Sequence, residues 1–333
     1  MVIDRRGFAR IALASCVVLP LVVSCADDKT TRRIGVLVSG PPETVSFEDL
    51  AAPLRELGWI EGKNLVVERR YSSYQPGRLD VLAVELLELK PDLIISRGTA
   101  PTIAAKKATT TVPIVMAGAS DPVATGIVPS LSRPGGNVTG YAFMTPELIA
   151  KRAQVVHEML PGAQRIAFVI PLVAVEAQKY PGSINAFIRD QALAVYRSLG
   201  MEMIAVDLAR PFGDKEAENA ITEAARSRVH AVDFYVGGSA SAIEAANAHR
   251  LPVIVRSREQ LEAGGLMYLE VNLDDRPRRI AAIVDKILRG AKPADIAIEQ
   301  PTKLTLGINV KAANALGIAI PQAIVLRADE VIR

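Results

Sequence analysis

Short apolar runs alternate along the chain with amphipathic stretches, a pattern typical of an α/β protein. The runs at 34–38, 92–96 and 113–117 predict strands, and the second of them is apolar enough to be buried on both faces of a sheet. Residues 78–89 carry leucine or alanine at 79, 82, 83, 86 and 87, which is a helical period. The alternation predicts right-handed crossovers and a doubly wound parallel sheet.

The same order of elements occurs twice. Gly98 and Pro113 are followed, at a constant distance of 139 residues, by Gly237 and Pro252. Ile114 corresponds in the same way to Val253 at the start of an apolar run. The repeat predicts an internal duplication, with two doubly wound parallel-sheet lobes of the same architecture.

Three connections are predicted to join the lobes, at 141–146, 272–275 and 300–302. Three chain segments between two lobes form a hinge, and a hinge leaves a cleft that can close on a ligand. The expected division follows these connections: lobe 1 comprises 33–143 and 272–300, and lobe 2 comprises 144–271 and 301–333.

The N-terminal segment has the organisation of an export signal. Basic residues precede an apolar stretch at 11–23, and small residues follow it, so 1–24 is interpreted as a signal peptide. Arg5-Arg6-Gly7-Phe8 resembles a twin-arginine signal, with ordinary Sec export as the alternative.

Residues 22–25, Val-Val-Ser-Cys, resemble a bacterial lipobox. In that interpretation Cys25 becomes the lipidated N-terminus and 25–32 a polar tether, and the only membrane contact is a lipid anchor. The alternative is cleavage after Ala26 and a free protein. Either alternative places the chain in the periplasm or on the outer face of the cytoplasmic membrane.

Composition excludes several classes of function. The net charge is +3 and there is one tryptophan, too little basic excess and aromatic surface for nucleic-acid binding. Two cysteines and three scattered histidines favour neither a metal site nor a disulfide framework. The sequence contains no Gly-x-Gly-x-x-Gly, no P-loop and no His-Glu-x-x-His, so no cofactor and no catalysis are expected.

Ligands of open parallel sheets bind beyond the C-terminal ends of the strands. Amides at helix N-termini suit a small anion at such positions. The candidate ligand-binding residues chosen on this basis are Ser39, Ser96, Arg97, Gly98, Thr99, Asp121, Tyr235, Gly237 and Arg256, together with Glu270 near the second crossover.

Each candidate has a structural alternative. Arg97 and Arg256 are expected to clamp a carboxylate or to be solvated rim charges, and Asp121 to receive a ligand ammonium or to bond loop amides. Glu270 is expected to bond a ligand amine or a hinge amide. Tyr235 is expected to stack on a flat ligand or to pack in the lobe. Several of the strand-end serines and threonines, such as Thr99 and Ser239, are also suitable helix caps.

Six segments carry a resemblance to a known family: LRELGWIEGKN (54–64), ATTTVPIV (108–115), SRPGGNVTG (132–140), EQPTK (299–303), ALGIAIP (315–321) and LRADEVI (326–332). Together they resemble the ABC-transporter substrate-binding proteins of the tryptophan/tyrosine-uptake type, in order from about residue 33 to the C-terminus. The resemblance implies a two-lobed, periplasmic-binding-protein-like fold of type I without catalysis. It also implies that Ser39, Gly98, Thr99, Asp121, Met144 and Thr145 lie where that family lines its cleft.

The sequence departs from the family pattern at two places. Arg97 replaces a small residue, and Tyr268-Leu269-Glu270 replaces a Tyr-Gly pair with small neighbours. An added arginine favours a more acidic ligand than an aromatic amino acid.

The expected function is that of an exported receptor of an ABC importer. It binds an amino acid or related carboxylate between its lobes, closes, and as a monomer docks on a permease that works with an ATPase. The alternative is a periplasmic sensor domain that partners a histidine kinase or receptor. An exported hydrolase has little support, because no nucleophile, base or metal set is visible.

Overall fold

The structure is a computed structural model that describes residues 31–43, 47–75, 77–170, 184–208, 213–235 and 238–333. The predicted export signal, the lipidation site Cys25 and the candidate Gly237 lie outside the described residues. Across the described ranges, no helix combines the length and apolar character needed to cross a bilayer.

The first lobe is built on a five-stranded sheet in which all neighbouring strands are parallel. The strand order is β2-β1-β3-β4-β5, and residues of β1, β3 and β4 contribute to hydrophobic clusters on both faces. Its elements are β1 (Arg32–Val38), α1 (Glu48–Glu56), β2 (Leu65–Tyr71), α2 (Arg78–Glu88), β3 (Leu93–Arg97), α3 (Thr99–Ala108), β4 (Ile114–Ser120) and β5 (Val138–Phe143).

The second lobe is built on a seven-stranded sheet with the order β12-β11-β10-β9-β8-β6-β7. All neighbouring strands are parallel except β10 and β11. Its elements are α4 (Thr145–Met159), β6 (Arg165–Ile170), α5 (Ile184–Ser198), β7 (Glu202–Asp207), α6 (Asp214–Arg226), β8 (Ala231–Phe234), α7 (Ala240–Ala248), β9 (Val253–Val255), α8 (Arg258–Glu262), β10 (Met267–Val271), β11 (Leu304–Asn309), α10 (Val310–Leu316), α11 (Gln322–Arg327) and β12 (Glu330–Ile332).

The two sheets share a common order. β2-β1-β3-β4 in the first lobe corresponds to β7-β6-β8-β9 in the second. The prediction of two doubly wound α/β lobes is therefore confirmed, and the added antiparallel strand β11 comes from the C-terminal part of the chain that the repeat does not cover.

The chain passes between the sheets three times. After β5 it enters α4, and after β10 it returns as α9 (Arg276–Leu288), which packs against α1 and β5. A 3₁₀ turn at Pro293–Asp295 then leads to Glu299, whose amide donates to the carbonyl of Gly140 in β5. Beyond Pro301 the chain becomes β11. The division of the chain between the two lobes at these passages stays a prediction.

Strand ends differ from the sequence prediction at the site-facing edge. β4 continues through Ser120 instead of ending near residue 117, because a bulge between Ala117 and Ala119 keeps the small and polar residues in the ladder. Residues 141–143 belong to β5 and not to the first crossover, since they pair with β4 on one side and adjoin Glu299 on the other. The crossover begins at Met144.

Candidate functional site

A cavity of about 180 Å³ lies between the two lobes, next to the crossovers. Pockets for drug-sized ligands occupy about 300–1,000 Å³, so this volume suits a small metabolite. The lining combines a mainly apolar wall with a few charged and hydroxyl groups, contributed by Ser120, Phe143, Met144, Thr145, Leu148, Ile149, Arg152, Tyr235, Arg256, Glu270, Val271 and Leu273.

The first lobe supplies Ser120 and Phe143 from the ends of two adjacent strands. The bulged backbone at Gly118 has φ +98°, a conformation that glycine adopts without strain. The ring of Phe143 packs so closely on this glycine that a Cβ would lie 2.6 Å from it. The absence of a side chain at Gly118 therefore leaves the space that the ring of Phe143 occupies.

The second lobe supplies a fully buried arginine. The side chain of Arg152 on α4 is 1% exposed, with Nη1 3.5 Å from Asp233 Oδ1 and Nη2 donating to the carbonyl of Leu269 and to Glu270. Asp233 also accepts a 2.8 Å hydrogen bond from the hydroxyl of Tyr196. A buried guanidinium is tolerated because these carboxylates compensate its charge.

A second arginine completes the charged cluster. Arg256 contacts both carboxylate oxygens of Glu270, with an Nη2–Oε2 distance of 3.0 Å. Its Nη1 donates to the carbonyl of Tyr235 at 2.9 Å, and the guanidinium lies 5.1 Å from the centre of the Tyr235 ring. Glu270 thus bridges Arg152 and Arg256, and the cluster ends at the aromatic ring that lines the cavity.

Burial dominates the electrostatics of this cluster. It raises the pKa of Glu270 above its ordinary value, although Arg152 and Arg256 oppose that rise. Burial, helped by Arg152, lowers the pKa of Arg256. Burial also raises the pKa of Tyr235, although the neighbouring Arg256 and Arg152 oppose that rise. The cavity therefore presents two guanidinium groups, one shared carboxylate and hydroxyls to a ligand.

Five sequence-predicted site residues meet at the cavity: Met144, Thr145, Tyr235, Arg256 and Glu270. The contacts of two of them differ from the alternatives expected. Arg256 is not a solvated rim charge in this structure, because Glu270 and Tyr235 hold it. Glu270, expected to bond a ligand amine or a hinge amide, is shared by two arginines.

Three candidates at the end of β3 do not line this cavity. Their polar groups have partners within the first lobe. Arg97 makes a two-pronged ion pair with Asp49, at 2.7 and 2.8 Å. The hydroxyl of Ser96 lies 2.8 Å from that of Thr102 and is buried. Gly98 precedes α3 with φ +107° and accepts the hydroxyl hydrogen of Thr102.

The remaining first-lobe candidates also lie outside the lining. Thr99 does not cap α3; its hydroxyl accepts the amide of Ser120 and so orients a residue that does line the cavity. Asp121 accepts the amide of Ala124, which is the loop-bonding alternative. The backbone carbonyl of Ser39 accepts from Ser72 and Tyr74, as part of a turn at the end of β1.

Sequence reasoning missed Arg152, Asp233 and Phe143. A signal was present for the first two. Arg152 follows Leu148 and Ile149 at helical spacing on the apolar face of α4, and Asp233 interrupts the apolar strand β8. A charge on a buried face requires an opposite charge nearby, so each of these residues indicated a buried ionic partner without identifying it. Phe143 carried no such signal, because its strand was not predicted. Within the described ranges no cluster of three histidine, cysteine or acidic residues could hold a metal ion.

Comparisons with known proteins agree with this architecture. The chain is 22% identical over 300 residues to a tyrosine-binding protein of Clostridioides difficile, covering 87% of this chain and 82% of that protein. A conserved domain protein from Vibrio cholerae superposes with a TM-score of 0.74 at 24% identity, over 90% of this chain and 99% of the other. An ABC domain from Streptococcus pneumonia in complex with L-Trp gives 0.72 at 21% identity, over 91% and 100%.

These structures show the fold, which is the two-lobed, type I periplasmic-binding-protein fold. The family model for ABC transporter substrate binding proteins matches residues 33–332. That match spans both lobes and every strand that contributes to the cavity. The chain therefore belongs to the ABC transporter substrate-binding proteins, a family that binds ligands and is not enzymatic.

Proposed function

We propose that this protein is the exported substrate-binding component of an ABC importer. It binds a small ligand that carries a carboxylate, an amino acid or a related acid, in the cavity between its lobes and delivers it to a permease. The observation that carries the proposal is a cavity lined by residues of both lobes and of the crossovers, with the guanidinium of Arg256 at its wall.

Closure around the ligand follows from the origin of the lining. Ser120 and Phe143 belong to the first lobe, whereas Tyr235 and Arg256 belong to the second. A ligand that contacts both sets gains these contacts together only in the closed arrangement, so it shifts the population towards closure.

The carboxylate is supported by the donors at the wall. Arg256 has a planar guanidinium, which suits two-pronged binding of a carboxylate, and its side chain is 27% exposed. The N-terminus of the 15-residue helix α4 begins at the lining residue Thr145 and adds a favourable dipole. The similar proteins named for tyrosine and L-Trp point in the same direction, since both ligands carry a carboxylate.

Replacing Arg256 by alanine is expected to weaken binding of the best acid in a panel of amino acids and carboxylates by about 1.5–3 kcal/mol, or roughly 10- to 150-fold. The reason is loss of a charge-assisted hydrogen bond to the ligand carboxylate. Isothermal titration calorimetry measures the change. Arg258→Ala is the matched control, because Arg258 lies two residues away, is exposed and does not line the cavity.

Two results would argue against the proposal. An Arg256→Ala variant that binds the same acid as tightly as the wild type would remove Arg256 from the site. A panel in which no acid binds the wild type would remove the carboxylate ligand. Delivery is tested separately, by measuring uptake of the labelled acid in cells with and without a candidate ABC permease.

Export and anchoring form part of the same proposal. We expect cells expressing the full chain to incorporate a palmitate analogue into the protein, because Cys25 follows a lipobox-like segment. The Cys25→Ser variant is expected to lose the label, and Cys16→Ser to retain it. Label that persists in Cys25→Ser, or a wild type without label, would contradict anchoring at this cysteine.

A further inference from the structure

We infer that the preferred ligand is an apolar monocarboxylate without a free ammonium group, a deaminated acid and not an α-amino acid. This inference rests on the proposed function and specifies its ligand. It starts from the hydrogen-bonding capacity that the cavity wall leaves unused and from the groups that are already engaged.

Among the described residues of the lining, Glu270 is the only carboxylate. Its Oε1 contacts Arg152 and Arg256, and its Oε2 accepts from Arg256 at 3.0 Å. A ligand ammonium bound at Glu270 would have to displace a guanidinium or lie beside two of them. The other side-chain oxygens of the lining are hydroxyls, which do not compensate a positive charge.

The hydrogen-bonding group that lacks a partner is a donor. Arg152 is fully buried and lines the cavity, yet its Nε–H has no acceptor within the described part of the chain. A buried N–H of a charged group that lacks an acceptor is costly, and an anionic oxygen is its best partner. The ligand carboxylate therefore completes the hydrogen bonding of Arg152 while it contacts Arg256.

The rest of the wall specifies the body of the ligand. Phe143, Leu148, Ile149, Val271 and Leu273 present hydrocarbon surfaces opposite or beside the arginines. An aromatic or branched aliphatic group buries its surface against them. The site thus combines one anion-binding end with an apolar remainder.

A zwitterion has one competing route. Its carboxylate could bind Arg256 while its ammonium binds Glu270. The ion pair between Arg256 and Glu270 would then be replaced by two contacts with the ligand. Glu270 also compensates the buried Arg152, however, so the ammonium would compete with Arg152 for that compensation. Because Glu270 is needed to compensate the charge of Arg152, the cavity wall favours the deaminated acid.

Matched ligand pairs test the inference on the wild-type protein, without a variant that could fail to fold. L-Phenylalanine is compared with 3-phenylpropionate, and L-leucine with 4-methylpentanoate, by calorimetric titration at about pH 7.5. Each deaminated member is expected to bind at least about tenfold more tightly than its amino acid. Equal or tighter binding of the amino acids overturns the inference and leaves the proposed function standing. If no carboxylate binds at all, both are overturned.

The pH dependence provides a second readout. Glu270 faces Arg152, Arg256, Asp233 and Tyr235, and its pKa is raised by burial. Lowering the pH from about 7.5 to about 5.5 keeps a ligand carboxyl of ordinary pKa ionised while it favours protonation of Glu270. Protonation releases both guanidinium groups, so the deaminated acid is expected to bind more tightly. Weaker binding of the deaminated acid at low pH would show that its carboxylate does not compete with Glu270 for the guanidinium groups, and would overturn the inference.

Discussion

Replacing Arg152 by methionine is expected to lower the free energy of unfolding by about 3–5 kcal/mol. Methionine fills much of the same space, so the main loss is electrostatic. The variant leaves the buried Asp233 without the cation that it contacts, and leaves Glu270 with Arg256 as its remaining partner. Urea denaturation followed by circular dichroism measures the change.

The pH dependence of this loss has a definite sign. Burial already raises the pKa of Glu270, and removal of Arg152 takes away one of the charges that oppose the rise. The cost of an ionised, buried carboxylate is present above its folded-state pKa and disappears as the pH falls below its unfolded-state pKa. The stability difference between wild type and Arg152→Met is therefore expected to shrink as the pH is lowered towards the ordinary glutamate range.

Two variants separate the network from a general effect of losing an arginine. Arg189→Met removes an exposed arginine paired with the adjacent Asp190, and we expect a change below about 1 kcal/mol. Adding Asp233→Asn to Arg152→Met is expected to restore part of the stability, because it neutralises the carboxylate that loses its cationic partner. A loss below about 1 kcal/mol in Arg152→Met itself would show that the cluster contributes little to stability.

The predictability of the fold depended on how apolar each strand is. β3 was predicted closely because Leu93, Ile94 and Ile95 form an unbroken apolar run. The pattern around β5 predicts a connection instead of a strand, because Gly140 and the preceding Pro134-Gly135-Gly136 are typical of turns. Its strand character comes from pairing with β4 and with the distant Glu299 segment, which no local pattern records.

The site was predictable only as far as strand ends determine it. Tyr235 and Arg256 follow strands of the second lobe and line the cavity, as that rule implies. Arg97 also lies at a strand end, but Asp49 of α1 binds it. An ion pair between residues 48 positions apart cannot be inferred from their positions in the sequence alone. Arg152 lies on a helix face, so the rule of strand ends does not select it as a site residue. Its charge on an apolar face of α4 is the one local signal of its role.

Gly140→Ala is expected to destabilise the protein by about 2–6 kcal/mol, through backbone strain and steric overlap together. Gly140 has φ +133°, and an added Cβ would overlap the carbonyl oxygen of Met116 and lie 2.6 Å from its amide nitrogen. The obstacle is main chain of β4, which cannot move aside as a flexible side chain can. Chemical denaturation measures the loss.

The matched control for this glycine is Gly136→Ala in the preceding loop, where an added Cβ has nothing within 4 Å and φ is not in the left-handed region. We expect it to be nearly neutral. Because Gly140 lies in the strand that ends at Phe143, separation of β4 and β5 would also displace the aromatic wall of the cavity. Gly140→Ala should thus lose ligand affinity along with stability. Wild-type stability in this variant would mean that β4 and β5 do not approach as closely as their register requires.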